Sequence, residues 1–417
     1  MEFPERFSNL PDYAFPRLRA LLDHHPAGGE VVHMTIGEPK HAFPAWVSDI
    51  LVDASAGLNS YPANDGTPEL REAIAGWVNR RFDVAINANT QVIALNGTRE
   101  GLYNAAMALL PEQKSGQKPI VLIPNPFYQV YMIASISVGA EQVFVQADHE
   151  NGFLPDYASL PAEILNRTVA AYICSPSNPQ GAIASRDYLK TLVTLAEKYD
   201  FRIFADECYS EIYRGDAPVG ALQVAHEMGA DPERVVIFHS LSKRSNLPGL
   251  RSGFAAGGPK SIARMKQLRA YSGAPLPGPL QSVSARVWQD EAHVVENRAM
   301  YAEKFAMADQ VFAGIDRYNS PEAGFFLWLN VGNGEEVALR LWQKTGVRVL
   351  PGRYLSKETD HGAPGASYIR VALVAPKEEA ERGLIRLRDC LYKSSAGSVS
   401  TTTPAGGMPR YSLVTPE

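Results

Sequence analysis

Short apolar runs alternate with amphipathic stretches along most of this chain. The runs 119–123 (PIVLI), 169–174 (VAAYIC), 201–205 (FRIFA) and 234–238 (RVVIF) are brief, rich in β-branched and aromatic residues, and bounded by turn signals. That combination predicts buried strands. Between them, 186–199 (RDYLKTLVTLAEKY) brings Leu189, Leu192, Val193 and Ala196 onto one face of a helix. Strands alternating with helices predict an α/β fold with a mostly parallel central sheet. In such a sheet, ligands bind beyond the carboxyl ends of the strands. A further helix is expected over 290–312, and further strands near 324–331 and 367–373.

The pattern fades after Lys393. Residues 394–417 are rich in Ser, Thr, Gly and Pro, with too little apolar content for a core, and are expected to be a disordered tail. The organisation expected before that is a large domain at 46–280 and a smaller α/β domain at 281–393, joined by the N-terminal segment 1–45. A chain of 417 residues has room for more than one core.

Composition removes some function classes. Hydrophobic residues make up 45% and charged residues 20%, and the net charge of -5 gives no global basic field. Non-specific binding to nucleic acid or to a membrane surface is therefore disfavoured. Cys174, Cys208 and Cys390 are too few and too scattered for a disulfide framework or a zinc site, and read as small apolar fillers. The start, MEFPERFSNLPDY, has no apolar secretory core, and no run approaches the ~20 residues that cross a bilayer. A cytoplasmic protein is the expectation.

The residues with chemical potential fall just after the predicted strands. In RVVIFHSLSKRSNLPGLRSG (234–253), Lys243 sits on a loop after a buried run. Burial there lowers its pKa toward the neutral amine that a Schiff base requires. Ser240 and Arg251 offer a hydroxyl and a planar cationic fork to a phosphate. Asp206-Glu207-Cys208-Tyr209 follows FRIFA, and SPSNPQG (175–181), with Asn178, follows VAAYIC. Asn96-Gly97-Thr98-Arg99 follows VIAL and opens a helix, whose backbone N–H groups favour an anion. Pro126-Phe127-Tyr128 and Tyr368-Ile369-Arg370-Val371 complete the set. Each alone has a plainer reading: a solvated lysine, a capping aspartate, an Asn-Pro turn, a packed tyrosine.

Together they carry a resemblance. SLSKRSNLPGLRSG resembles the cofactor-attachment segment of the class I/II aminotransferases, fold type I enzymes that use pyridoxal 5'-phosphate (PLP), and the other segments follow in that family's order over about residues 10–392. The resemblance implies a large domain with a mostly parallel sheet and a smaller α/β domain built from both termini. It implies that Lys243 holds PLP as a Schiff base and then moves a proton between the substrate Cα and C4′ of the cofactor. Ser240, Arg251, Gly97, Thr98 and Arg99 would hold the phosphate. Asp206 would pair with the pyridine nitrogen, Tyr209 and Asn178 with the ring 3-oxygen, and Tyr128 would stack on the ring. Arg370 would bind the substrate α-carboxylate, helped by Asn178 and the Gly37 backbone. Tyr61 would reach the phosphate of a neighbouring subunit, which makes the expected protein a homodimer. Gln180 stands where the family more often has threonine, a mild departure.

Within the family, one branch is most similar, the N-succinyldiaminopimelate aminotransferases of lysine and diaminopimelate biosynthesis. TIGEPKH (35–41), ALNGTREGL (94–102), PNPFYQVY (124–131), ENGFLPD (150–156), DECYSEIY (206–213) and VALVAP (371–376) carry that similarity. The implied reaction converts N-succinyl-LL-2,6-diaminopimelate and 2-oxoglutarate to N-succinyl-2-amino-6-oxopimelate and L-glutamate. The best-known aspartate aminotransferases use an arginine for the distal carboxylate in the region matching GAPLPGPLQ (273–281), which here has no basic residue. Lys40 and Arg99 are the candidates for that role. The alternatives are an aspartate, acetylornithine or aromatic aminotransferase, a β-lyase or decarboxylase on the same scaffold, or a non-catalytic PLP-fold sensor. The last is disfavoured because the roughly 40 residues before the cofactor domain form no helix-turn-helix.

Overall fold

The computed structural model describes residues 4–8, 10–360, 362–392 and 411–414. Its strands, in chain order, are β1 Val32–His33, β2 Val92–Leu95, β3 Ile120–Asn125, β4 Glu141–Gln146, β5 Thr168–Cys174, β6 Arg202–Asp206 and β7 Val235–Ser240. They continue as β8 Gly253–Gly257, β9 Phe326–Asn330, β10 Val347–Arg348, β11 Leu350–Pro351, β12 Tyr368–Ala372 and β13 Tyr411–Val414. The apolar runs singled out in the sequence are the central strands β3, β5, β6 and β7. β3, β5 and β7 are buried along their whole length, as a continuous apolar run with both faces covered requires.

An eight-stranded sheet has the order β13-β4-β3-β5-β6-β7-β8-β2. β4, β3, β5, β6 and β7 run parallel, while β8 pairs antiparallel with both β7 and β2. β2 therefore points the same way as β7, and the chain leaves all six of these co-directional strands at one edge. The helix Arg186–Tyr199 shows how a crossover is held. The Ser185 side chain caps its start by accepting from the Tyr188 N–H, Asp200 ends it in the left-handed region, and Leu189, Leu192, Val193 and Ala196 are its buried residues.

A second, antiparallel sheet has the order β11-β12-β9, and a small parallel pair joins β1 to β10. The N-terminal segment packs with the C-terminal part: Ala14, Leu18 and Leu22 share a cluster with Trp342, Leu350 and Tyr354. The Ala372 N–H also donates to the Met34 carbonyl at 2.8 Å. The helix expected near 290–312 spans Ala292–Val311. The boundary expected at 280/281 falls inside the helix Gly278–Gln289, whose Val283, Val287 and Trp288 belong to the core of the large sheet.

The tail expectation needs correction. Residues 411–414 form β13, antiparallel to β4 at the sheet's edge, where the unpaired donors and acceptors of an outer strand accept a partner. The rest of 394–417 lies outside the described residues. Among the described residues, no helix is long and apolar enough to cross a membrane.

Leu189 is 2% exposed within the large core. Leu189→Ala is expected to cost about 2–5 kcal/mol through lost burial and a residual cavity, read as a lower thermal midpoint in calorimetry.

Candidate active site

Strand register brings the site together. Cys174 on β5 aligns with Asp206 on β6, and Asp206 with Phe238 on β7. Across β8, Gly253 faces both Ser240 of β7 and Leu95 of β2. The loops that follow these levels carry Asn178, Tyr209, Lys243 and the Gly97-Thr98 turn. They converge on a cavity of about 250 Å³ lined by Gly37, Thr98, Arg99, Tyr128, Asn178, Asp206, Tyr209, Ser240, Lys243, Arg251 and Arg370 among others.

Lys243 lies on the short helix Leu241–Arg244, with Ser240 as its N-cap. Its Nζ donates to the Gly37 carbonyl. Burial, opposed by Cys208 and reinforced by the positive charge of Arg370, pulls its pKa down to about 8. A lysine in this state supplies neutral amine near physiological pH, the form that attacks a carbonyl.

Asp206 is 5% exposed, and its Oδ2 accepts from the Tyr131 hydroxyl at 2.7 Å. Burial raises its pKa, against the Cys208 and Tyr131 side chains, which favour the carboxylate. Tyr209 also faces the cavity, with its ring edge-on to Phe325 at 5.3 Å. Burial pushes its phenol well up.

A second group of residues is built to take an anion. Thr98 begins the helix Thr98–Leu109, after Gly97 at φ +81°. Any side chain at Gly97 would collide with Nη2 of Arg251. Arg251 is itself left-handed at φ +56°, and its guanidinium donates to the carbonyls of Pro248 at 3.0 Å and Asn96 at 3.3 Å. Ser240 Oγ accepts from the Ser242 N–H at 3.1 Å. A helix start, hydroxyls and a guanidinium converge as a phosphate requires.

Arg370, on β12, is 5% exposed, with burial lowering its pKa to about 10. It donates to Asn178 Oδ1 at 2.9 Å and to the Thr35 carbonyl at 2.8 Å, and stands 4.1 Å over the Phe326 ring. Its buried Nε has no partner, and no carboxylate pairs with it among the described residues. A buried guanidinium that remains charged and unneutralised favours a carboxylate strongly.

The structure thus places nearly every expected residue around one cavity, but not Lys40 or Tyr61. Lys40 pairs with Glu38 at 2.9 Å with both side chains about half exposed, and does not line the cavity. Tyr61 is fully exposed and away from this chain's cavity. Tyr13, Phe15, Phe326 and Tyr131 were not foreseen. Tyr128 precedes the helix Val130–Ser137 that carries Tyr131, and the two rings meet edge-on with centroids 5.8 Å apart. Cys208, read as a filler, lines the cavity beside the Thr98 hydroxyl at 3.1 Å.

A parallel sheet bearing an amine of lowered pKa, a buried carboxylate and an anion cradle at its carboxyl edge defines a PLP-dependent transferase of fold type I. The donor set fits that cofactor: the cradle matches its phosphate, Asp206 its ring nitrogen and Lys243 its aldehyde. The profile described as aminotransferase class I and II matches residues 29–387, and the chain belongs to that family, whose members use PLP. It is similar to the LL-diaminopimelate aminotransferase of Dehalococcoides mccartyi, at 32% identity over 95% of this chain and 100% of that one. A solved aminotransferase from Neisseria meningitidis matches at 38% identity and TM-score 0.89, covering 93% of this chain and 100% of that one. A probable N-succinyldiaminopimelate aminotransferase from Thermus thermophilus shares the fold, at 24% identity and TM-score 0.79 over 91% of this chain and 100% of that one.

The Lys243 amine gives a direct pH expectation. Imine formation needs the unprotonated amine, so reconstitution of the apoenzyme with PLP should accelerate as pH rises through about 8 and level off above it. Stopped-flow absorbance checks this, with Lys243→Ala as the control that traps no cofactor on borohydride reduction. A midpoint near the ordinary lysine value of about 10.4 would contradict the role of burial.

Proposed function

We propose that the protein is an aminotransferase for N-succinyl-LL-2,6-diaminopimelate, with 2-oxoglutarate as amino acceptor. Bound PLP supplies an electron sink for the substrate Cα–H bond. The remaining work belongs to the chain's own residues. Arg370 holds the α-carboxylate through a planar fork, steadied by Asn178 and the Thr35 carbonyl, and so orients the Cα–H bond. The Gly37 backbone closes the same side. Lys243 would hold the cofactor, and its Nζ would serve as the base that moves the substrate Cα proton. Asp206 keeps a proton on the ring nitrogen, Tyr209 and Asn178 serve the ring 3-oxygen, and Tyr128 covers the ring face. Ser240, Arg251, Gly97 and Thr98 hold the phosphate.

The observation that carries the substrate class is the charge of the cavity wall. Arg99, Lys243, Arg251 and Arg370 line it, and Asp206, assigned to the cofactor, is its only lining carboxylate among the described residues. A free diaminopimelate brings a distal ammonium, for which the described cavity wall offers no carboxylate beyond Asp206. Succinylation turns that ammonium into a neutral amide and adds a carboxylate, which suits Arg99. That guanidinium is held by the Tyr128 hydroxyl, which accepts from its Nε at 2.7 Å. The D. mccartyi relative is an LL-diaminopimelate aminotransferase, which favours the competing reading, unmodified LL-diaminopimelate.

A coupled glutamate assay with both donors side by side separates the two. The succinylated donor is expected to give the higher kcat/KM, and Arg99→Ala should raise its KM about tenfold or more with a smaller change in kcat. Faster turnover of free LL-diaminopimelate would replace the proposal with the competing one.

The exposed Tyr61 fits a homodimer in which it reaches the neighbouring subunit's phosphate. Sedimentation should then show a dimer. Mixing inactive Lys243→Ala chains with Tyr61→Phe chains should yield hybrids in which one site has both groups intact, with the cofactor affinity of the parent.

A further inference from the structure

Asp206 is the residue whose charge state the cofactor's ring nitrogen would read, and its surroundings are unusual. It faces Tyr131 from the helix Val130–Ser137, Cys174 at the end of β5, Cys208 and Tyr209 on its own loop, His239 on β7, and Tyr128 at the cavity wall. Of these, the Tyr131 hydroxyl donates straight to Oδ2, at 2.7 Å in a buried setting. The Cys208 N–H, at 3.4 Å from Oδ1, is a weak second donor, and the Cys208 side chain also favours the carboxylate.

Tyr131 is held as a fixed donor. Its ring is 0% exposed and stacks on Tyr172 at 4.5 Å with 13° between the planes. Burial and then the neighbouring Asp206 charge push its pKa well up, so it stays protonated and gives its proton's hydrogen bond to Asp206 across the working range. Burial alone drives Asp206 the other way, toward the neutral acid. A neutral Asp206 cannot hold a proton on the ring nitrogen.

We propose that Tyr131 is a positioning residue for the transamination, whose hydroxyl keeps Asp206 in the carboxylate form that holds the cofactor's ring nitrogen protonated. This rests on the placement of Asp206 against that nitrogen. The consequence is an electronic one. A protonated ring withdraws electrons from the nitrogen linking the cofactor to Lys243 and lowers that nitrogen's proton affinity. Removing the hydroxyl lets the shared proton move toward Asp206, the ring becomes less electron-poor, and the linking nitrogen keeps its proton to higher pH.

The test is a pH titration of the visible absorbance of the holoenzyme. Tyr131→Phe should move the midpoint upward by roughly one unit, a tenfold change in proton affinity. It should also weaken PLP retention about tenfold in equilibrium dialysis and lower kcat more than it raises KM. Tyr172→Phe is the packing control: its hydroxyl donates to the Leu102 carbonyl and does not touch Asp206, so its midpoint should stay at the parent value. In an Asp206→Asn background, Tyr131→Phe should add nothing to either readout. A parent-like midpoint for Tyr131→Phe, beside a displaced one for Asp206→Asn, overturns the role of Tyr131 alone. A parent-like midpoint and PLP affinity for Asp206→Asn overturn the placement of Asp206, and the proposal with it.

Discussion

The parallel register of β5, β6 and β7 is the constraint on which this site stands. Side chains on a strand alternate between faces, so a slip of one residue would send Asp206 to the opposite side of the sheet. The pairing of Cys174 with Asp206, and of Asp206 with Phe238, fixes its level. The same strands end at a common edge, so three separate loops release Asn178, Tyr209 and Lys243 into one space. β8 extends this alignment across the sheet. By running back between β7 and β2, it lets β2 point the same way as β7 and delivers the Gly97 turn beside Ser240. The hydrophobic runs that fill the core thereby also set the distances of the chemistry.

Within that frame, two buried cations respond differently to the same environment. Burial brings Lys243 to about 8 and Arg370 to about 10. The lysine thus exchanges its proton near neutrality, while the guanidinium keeps its charge. This suits one to carry protons and the other to hold a carboxylate. Exchanging the two residue types would leave a carboxylate site that could discharge and a base that could not. Asp206 completes the set as a buried acid whose charge depends on the donors around it, Cys208 and Tyr131, to withstand desolvation.

Much of this was legible in the sequence because it is local. The strands are continuous apolar runs, and the site residues follow them by a few positions. The helix 186–199 could be read to its capped ends because its stripe and its Ser185 cap are both near-neighbour features. Tyr131 was not legible, since its meaning lies in a bond to Asp206, 75 residues away. Lys40 lies off the cavity wall for a related reason. It lies three positions after Gly37, but nearness along the chain does not set the direction of a side chain, and here it pairs with Glu38 at the surface. The edge strand β13 was hidden by the composition around it, since four residues of strand inside a Ser, Thr, Gly and Pro-rich stretch leave little average signal. The helix Gly278–Gln289 was divided because sequence gives an element's face but not the core it faces.

The anion cradle shows where the fold accepts strain to obtain that geometry. Arg251 adopts a left-handed conformation at φ +56°, which costs a side-chain-bearing residue on the order of 1–3 kcal/mol at a constrained site. It is held there by its own guanidinium, fastened to the Pro248 and Asn96 carbonyls. Gly97 stands against that guanidinium at φ +81°, and a side chain there would displace it. The two positions are therefore one device. Glycine at 97 suits both the positive φ and the guanidinium packed against it, and the proposed phosphate site draws on both positions. A structural loop of ordinary purpose would relieve the arginine's strain by a small backbone change. Here relief would move Nη1 and Nη2 away from the start of the helix Thr98–Leu109, where an anion gains most from the aligned peptide dipoles.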